Sequence, residues 1–141
     1  MSNDMTLAAM DERDSDMLMM IMARLVEVQG AESAEIKFGP PDGMQVTRRV
    51  TGPEWAAMQP LLVGWLEASS DLIMEMAVCR RCGEEIGELI MRPELGSEAH
   101  GIILGKAEAK QAKALRKVVQ AKAAERAFAQ RLADLDYHVV N

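Results

Sequence analysis

The chain is poor in the residues from which enzymes most often build active sites. Its 141 residues include two histidines and two cysteines, and aromatic residues make up only 4% of the sequence. The sequence contains no recognisable Ser/His/Asp arrangement, Gly-rich phosphate loop or paired-carboxylate motif, so it predicts no catalytic residues. We therefore expect a protein that is not an enzyme.

No stretch is apolar for the length that a bilayer span requires. The richest run, residues 17–28, is interrupted by Arg24 and Glu27, whereas a spanning helix needs about 20 apolar residues. The first residues are acidic, unlike the start of a secretory signal peptide, and two cysteines in a chain of this size do not form a disulfide framework. These absences predict a cytoplasmic protein with no membrane partner.

What the chain does have is a balanced composition and an uneven charge. Hydrophobic residues make up 49% and charged residues 27%, which is typical of a globular protein, and we expect residues 1–141 to form a single domain. The net charge is −6, but residues 106–131 carry +6 and the rest of the chain carries −12. The sequence therefore describes an acidic body with a basic helix.

Periodicity and turn residues predict a mostly α (α+β) fold with one small β-hairpin and a long C-terminal helix. The expected elements, in chain order and with approximate bounds, are a helix over 5–29, a hairpin over 34–49 around the turn sequence GPPDG, a kinked helix over 53–78, a cysteine segment and loop over 79–105, and a helix over 106–136. Residues 137–140 are a candidate third strand, because two strands alone are only marginally stable.

Several local signals set the ends of these elements. Gly30 suits the position just past the first helix, and residues 14–16 offer an N-cap for it. Thr51 and Glu54 form a capping-box pattern at the start of the second helix. Pro60 predicts a kink within that helix.

The run MLMMIMARLVEV, residues 17–28, is apolar on nearly every side of a helix. Such a helix is either central in the core or part of an interface. Methionine side chains are flexible and polarisable, which suits adaptable contact with a protein partner. The candidate partner-binding residues are Met17, Met19, Met20 and Met22, and a homodimer is one arrangement that would use them.

The segment VCRRCGEEIG contains both cysteines, Cys79 and Cys82. A C-x-x-C pair suits half of a zinc site, since a tight turn brings two sulfurs to one metal, and Gly83 would let that turn close. A redox pair would need a thioredoxin-like context that is missing here. The remaining alternative is a helix end with two small buried thiols.

With His100 the segment resembles the zinc finger of the DksA/TraR family of transcription modulators. The residues that match the first half of that finger are Cys79, Cys82, Gly83 and Ile86. His100 follows Cys82 after seventeen residues, at the third ligand position. The fourth position is Ile103, which cannot ligate, and the resemblance ends there. It implies one structural zinc held by Cys79, Cys82 and His100, with the fourth ligand supplied by Glu94, Glu98, His138, a water or a second chain.

The basic segment offers a different kind of site. Lys106, Lys110, Lys113 and Lys117 recur at helical spacing and would share one face, as a helix that follows nucleic-acid phosphates requires. The segment lacks the aromatic and amide side chains that read or stack on bases. A solvated face that pairs with acidic residues is therefore the favoured interpretation, and nucleic-acid binding the alternative.

Together these features predict a small non-enzymatic binding protein, an inhibitor or adaptor of another protein, of the type encoded by mobile elements such as phages. Its acidic surface would suit a partner with a basic, nucleic-acid-binding site. The alternative is a zinc-finger-like, transcription-associated regulator that binds RNA polymerase or nucleic acid.

Overall fold

The computed structural model describes residues 10–40, 42–92 and 97–135. These residues form, in chain order, helix α1 (Glu12–Val28), strands β1 (Ser33–Phe38) and β2 (Val46–Thr51), helix α2 (Gly52–Ile90) and helix α3 (Ser97–Asp134). The predicted mostly α fold with one small hairpin and a long C-terminal helix is confirmed.

Helix α1 uses an earlier cap than predicted. The Asp11 carboxylate accepts a hydrogen bond of 2.8 Å from the backbone N–H of Asp14, so Asp11 is the N-cap and the cap predicted at residues 14–16 is wrong. Several acids in this segment could cap a helix, and residues 14–16 lie inside the helical turns instead. The other end is as predicted, with Gly30 at φ 76° just past the helix; residues 1–9 lie outside the described residues.

The β-hairpin packs one face against the helices. Ile36 and Phe38 are buried and alternate with exposed residues along β1, while Val50 is the buried residue of β2. The second strand lies further along the chain than the predicted 34–49 allowed, because the core selects Val50. Among the described residues the sheet has two strands, and the candidate strand at 137–140 lies outside them.

Arg48 joins this hairpin to the start of α2. The antiparallel register places it opposite Ile36, and its guanidinium lies 3.9 Å from the ring centroid of Phe38. Arg48 also donates two hydrogen bonds to the Glu54 carboxylate, of 2.9 and 2.5 Å. The predicted capping box is therefore wrong: Thr51 is the N-cap but makes no side-chain cap hydrogen bond, since Glu54 is held by Arg48 instead.

Helix α2 continues well beyond its predicted end. It passes through Pro60, which costs one backbone hydrogen bond, and runs without interruption through the cysteine segment to Ile90. Helix α3 likewise begins at Ser97 rather than near residue 106. Prediction of a loop over 79–105 is wrong, because most of that segment is helical and the connection between α2 and α3 is short.

The two long helices pack side by side as an antiparallel arm, defined here as α2 with α3. Gly64 lies against Phe128, whereas Glu85 pairs with Lys110 at 3.4 Å. Residue numbers therefore rise along α2 as they fall along the neighbouring α3, which makes the two helices antiparallel. A helix of this length extends about 58 Å. Packed residues on α3 recur at steps of four and three, the spacing of a coiled coil; they are His100, Leu104, Ala107, Gln111, Ala114, Val118, Ala121, Glu125, Phe128 and Leu132.

Helix α1 and the hairpin cover one end of this arm. The buried core there combines residues from every element: Leu25, Val28, Ile36, Phe38, Val50, Trp55, Met58, Leu62, Leu66 and Leu132. Trp55 is anchored by a hydrogen bond of 2.7 Å from its indole N–H to the carbonyl of Ala31. Arg80 forms an ion pair with Asp14 near the start of α1, and Gln59 donates a hydrogen bond to the carbonyl of Val28 at its end, so α1 runs antiparallel to α2.

Candidate functional site

The methionine-rich helix lies on the surface of the molecule. Only Leu25 and Val28 of α1 are buried, so of the two alternatives the helix is not the central one. All four candidate partner-binding methionines are exposed, with fractions of 44% for Met17, 70% for Met19, 73% for Met20 and 45% for Met22. A helix that is apolar all round need not be central when a partner can cover its free side.

The exposed apolar residues of α1 fall on two flanks of the helix. Met17 lies beside Ile21 in a groove between α1 and the arm, which also contains Arg126 of α3. Met19, Met22 and Val26 follow one another at steps of three and four on the other flank, and Val26 is 70% exposed. This second flank, Met19–Met22–Val26, is called the methionine stripe below.

The cysteines occupy neighbouring positions on the packed side of α2. Cys82 is 3% exposed and Cys79 is half-buried, and both are free thiols. Their spacing of three residues is a coiled-coil step: the packed residues of α2 that share it are Leu72, Glu75, Cys79, Cys82, Ile86 and Leu89. The turn predicted at the cysteines is wrong, and Gly83 lies within the helix, facing the side chain of Gln111 on α3.

The surroundings of Cys82 disfavour its thiolate. Burial raises the pKa of this thiol, Glu85 and Cys79 raise it further, and Lys110 opposes them. A thiol that keeps its proton is a weak nucleophile and a weak metal ligand.

His100 is engaged elsewhere on the arm. Its Nε2 lies 2.6 Å from the carbonyl oxygen of Leu89, seven residues beyond Cys82 and so about 10 Å further along α2. Glu98 is exposed near the start of α3, and the other candidate ligands, Glu94 and His138, lie outside the described residues. Within the described ranges no three potential ligands come together; the arrangement there does not fit a tetrahedral zinc site, and zinc binding stays a prediction.

The four candidate phosphate-binding lysines lie on one exposed face of α3. Lys106, Lys110, Lys113 and Lys117 are all exposed, and Lys110 pairs with Glu85 across the arm. The other three make no ion pair with any described residue. The favoured interpretation was a solvated face that pairs with acidic residues. All four lysines are on an exposed face, and one of them, Lys110, pairs with an acid of the described residues.

A row of acids on α2 was missed by the sequence reasoning. Glu67, Asp71 and Glu75 follow one another at steps of four and line a groove of about 640 Å³ between the two helices of the arm. The spacing of the acids in the sequence could have revealed them. Their position opposite Ala121 and Ala124 of α3 could not be read without the pairing of the helices.

The far end of the arm carries a second group of exposed apolar residues. They surround the connection between the helices, with exposed fractions between 40% and 79%: Ile90, Met91, Ile102 and Ile103. Ile103 thus faces solvent at the position where the resemblance to a zinc finger requires a ligand.

Compared with known protein families, curated proteins and solved structures, the chain matches none. None of the helices in the described ranges has the length and apolar character that a membrane crossing needs.

Proposed function

We propose that this chain is a non-enzymatic binding protein that acts as an inhibitor or adaptor of another protein in the cytoplasm, of the type encoded by mobile elements such as phages. The observation that carries the proposal is the methionine stripe on α1. Met19 and Val26 are each 70% exposed and Met22 is 45% exposed, on a helix whose other side contributes Leu25 and Val28 to the core. Apolar side chains grouped in this way favour contact with a protein.

Flexibility of methionine suits an apolar groove or helix on the partner. Unbranched thioether side chains adjust to irregular surfaces, and the stripe has the spacing that packs into a helix groove. Asp16 and Glu12 extend the same helix towards its N-terminus, so a basic rim beside the partner's apolar contact would be favoured.

The experiment is capture of partners from the native host by tagged full-length chain. We expect Met19→Glu combined with Met22→Glu to abolish capture of a defined partner, because two charges would be buried in the contact. The matched control is Met44→Glu, which changes a methionine that is 89% exposed outside α1. A partner that binds both variants equally, with both variants folded by circular dichroism, would refute the role of the stripe.

A second function, a transcription-associated regulator, is favoured by the lysine face of α3. Three unpaired lysines on one face could follow a phosphate backbone. Gel shifts with duplex and single-stranded nucleic acid at about 50 mM salt test it, since electrostatic affinity is largest at low salt. The matching variant is Lys106→Gln with Lys113→Gln; absence of binding by the unchanged chain would eliminate this function.

Zinc content separates the two functions further. One zinc per chain, retained during purification without chelator and lost in Cys79→Ser, would support the regulator. Near-zero zinc, with stability unchanged by EDTA, would refute the zinc site.

A further inference from the structure

A groove of about 490 Å³, called the three-helix groove below, lies between α1 and the two helices of the arm. Helix α1 packs far more closely on α2 than on α3, so the space beside α3 stays open and α2 forms its floor. The apolar side chains that line the groove are Met17 and Ile21 of α1 and Trp65, Leu72 and Ile73 of α2. Pockets for small ligands usually enclose about 300–1,000 Å³ and combine an apolar lining with a few polar groups. The three-helix groove has that size and that kind of lining.

Two cations of α3 line the same groove. Lys122 and Arg126 lie one helical turn apart, and both are exposed. Neither forms an ion pair with a described residue. Glu125 is the acid that lines the groove between them, and its carboxylate accepts a hydrogen bond of 2.9 Å from the indole N–H of Trp65. The lining therefore carries an excess of one positive charge beside an apolar floor.

Charges around the three-helix groove do not cancel this excess. Arg13 lies one turn before Met17 on the same flank of α1 and is exposed, which adds a cation near the opening. Arg24, further along that flank, is paired with Glu27. The acids of the neighbouring part of α2 line the groove on the other side of the arm instead: Glu67, Asp71 and Glu75. In a chain with a net charge of −6, this opening is locally cationic.

We propose that the three-helix groove binds a small amphiphilic anion, a carboxylate with a long unbranched apolar chain. Its carboxylate pairs with Lys122 and Arg126 at the rim, where a guanidinium can donate two parallel hydrogen bonds. Its chain lies on the apolar floor, and the flexible side chain of Met17 adjusts to it. A neutral ligand would leave both cations unpaired, whereas a short carboxylate would leave the apolar floor in contact with water.

This site lies on the other flank of α1 from the methionine stripe. A ligand in the groove and a protein on the stripe can therefore bind at the same time. The inference does not depend on the function proposed for the stripe.

Bromoundecanoate is a suitable probe, because the bromine at the end of its chain quenches the fluorescence of an indole that it touches. The chain contains two tryptophans. Trp65 lines the groove, whereas Trp55 is 3% exposed and lies about 15 Å earlier along α2. We expect saturable quenching of the full-length chain below the critical micelle concentration of the probe. In Trp65→Phe, the remaining fluorescence of Trp55 should not change.

The charge is isolated by a neutral probe and by a double variant. Bromoundecanol should bind the unchanged chain about tenfold more weakly than bromoundecanoate, and Lys122→Gln with Arg126→Gln should weaken binding of bromoundecanoate by about the same factor. Raising the salt from about 50 to 500 mM should weaken binding of the carboxylate and not of the alcohol. The matched control is Lys106→Gln with Lys113→Gln, which neutralises two unpaired lysines of α3 outside the groove and should bind like the unchanged chain. Circular dichroism verifies that all variants fold.

Four results would overturn the proposal. They are the absence of saturable quenching in the unchanged chain, quenching that persists in Trp65→Phe, equal affinities for bromoundecanoate and bromoundecanol, and equal binding by the unchanged chain and the Lys122 and Arg126 variant. Absence of quenching together with loss of partner capture in that variant would assign the groove to an acidic protein instead.

Discussion

The contact between Gly64 and Phe128 lets us predict how a substitution at Gly64 changes the free energy of unfolding, and this prediction depends only on the packing of α2 against α3. A Cβ atom added at Gly64 would lie 2.3 and 2.5 Å from two ring carbons of Phe128, whereas carbon atoms pack at about 3.5–4.0 Å. The ring must therefore move by roughly 1 Å or more. Overpacking of this kind costs about 1–3 kcal/mol, and the gain in helix propensity from Gly to Ala returns about 1 kcal/mol.

We therefore expect Gly64→Ala to lower the free energy of unfolding by about 1 kcal/mol. Gly105 supplies the control, because it lies inside α3 with nothing within 4 Å of an added Cβ. Gly105→Ala should raise the free energy of unfolding by about 1 kcal/mol, so the two variants should differ by about 2 kcal/mol in urea titrations with equal m-values.

A third variant isolates the ring as the cause. In a Phe128→Ala background the obstacle is absent, and Gly64→Ala should then stabilise the chain, with a coupling free energy of about 2 kcal/mol between the two positions. Equal stabilisation by Gly64→Ala and Gly105→Ala, or an effect of Gly64→Ala that ignores the Phe128 background, would refute this packing of the arm.

Three further predictions concern the core, an ion pair and the thiols. Trp55→Phe removes a buried hydrogen-bond donor and part of an indole that is 3% exposed, so the free energy of unfolding should fall by about 2–3 kcal/mol in urea titrations; a loss below about 0.5 kcal/mol would contradict the core described. The hydrogen bond from Arg48 holds the pKa of Glu54 below its ordinary 4.5. The difference in unfolding free energy between the unchanged chain and Glu54→Gln should therefore be constant near neutral pH and shrink as the pH falls through the lowered pKa. A difference that grows in acid would contradict the pairing. Because burial raises the pKa of Cys82, a thiol reagent at about pH 8 should modify Cys79 first, and equal rates would contradict the burial of Cys82.

The misassigned segment 79–105 shows where local reasoning failed. Gly83, Pro93, Gly96 and Gly101 favoured a turn and a loop, because glycine lowers helix propensity by about 1 kcal/mol and proline by about 3 kcal/mol. The spacing of packed residues at alternating steps of three and four nevertheless continues through this segment, to Leu89 on α2 and from His100 on α3. Packing between two long helices outweighs the local preference, and the two cysteines lie at packed positions of this spacing.

Apolar residues of the last helix recur at helical spacing and predict one packed stripe, formed by Leu115, Val118, Ala121, Phe128, Leu132 and Leu135. This prediction is correct in part. Val118, Phe128 and Leu132 do face the packed side of α3, and Leu132 is fully buried. Leu115 lies one position from the seam and is 49% exposed. A spacing of 3.6 residues per turn places Leu115 with the packed residues, whereas the coiled-coil spacing of 3.5 places it outside them. Packing against α2 determines that the coiled-coil spacing applies.

Local chemistry was sufficient for the features whose causes lie within a few residues. The turn sequence between two β-prone runs determined the hairpin, Gly30 determined the end of α1, and the strong helix formers from Lys106 onward determined most of α3. These preferences act within one turn of the chain, so the amino-acid order alone reveals them.

Tertiary structure decided the positions that matter for binding. The methionines of α1 could have been core or surface, since their apolarity is the same in both, and only the narrow contact of α1 with α2 leaves the stripe exposed. Likewise, the acids from Glu67 to Glu75 and the lysines from Lys106 to Lys117 are some forty residues apart in the sequence. Glu75 and Lys117 line one groove because the arm folds back on itself, and burial and charge pairing across that fold are properties of contacts that no single segment contains.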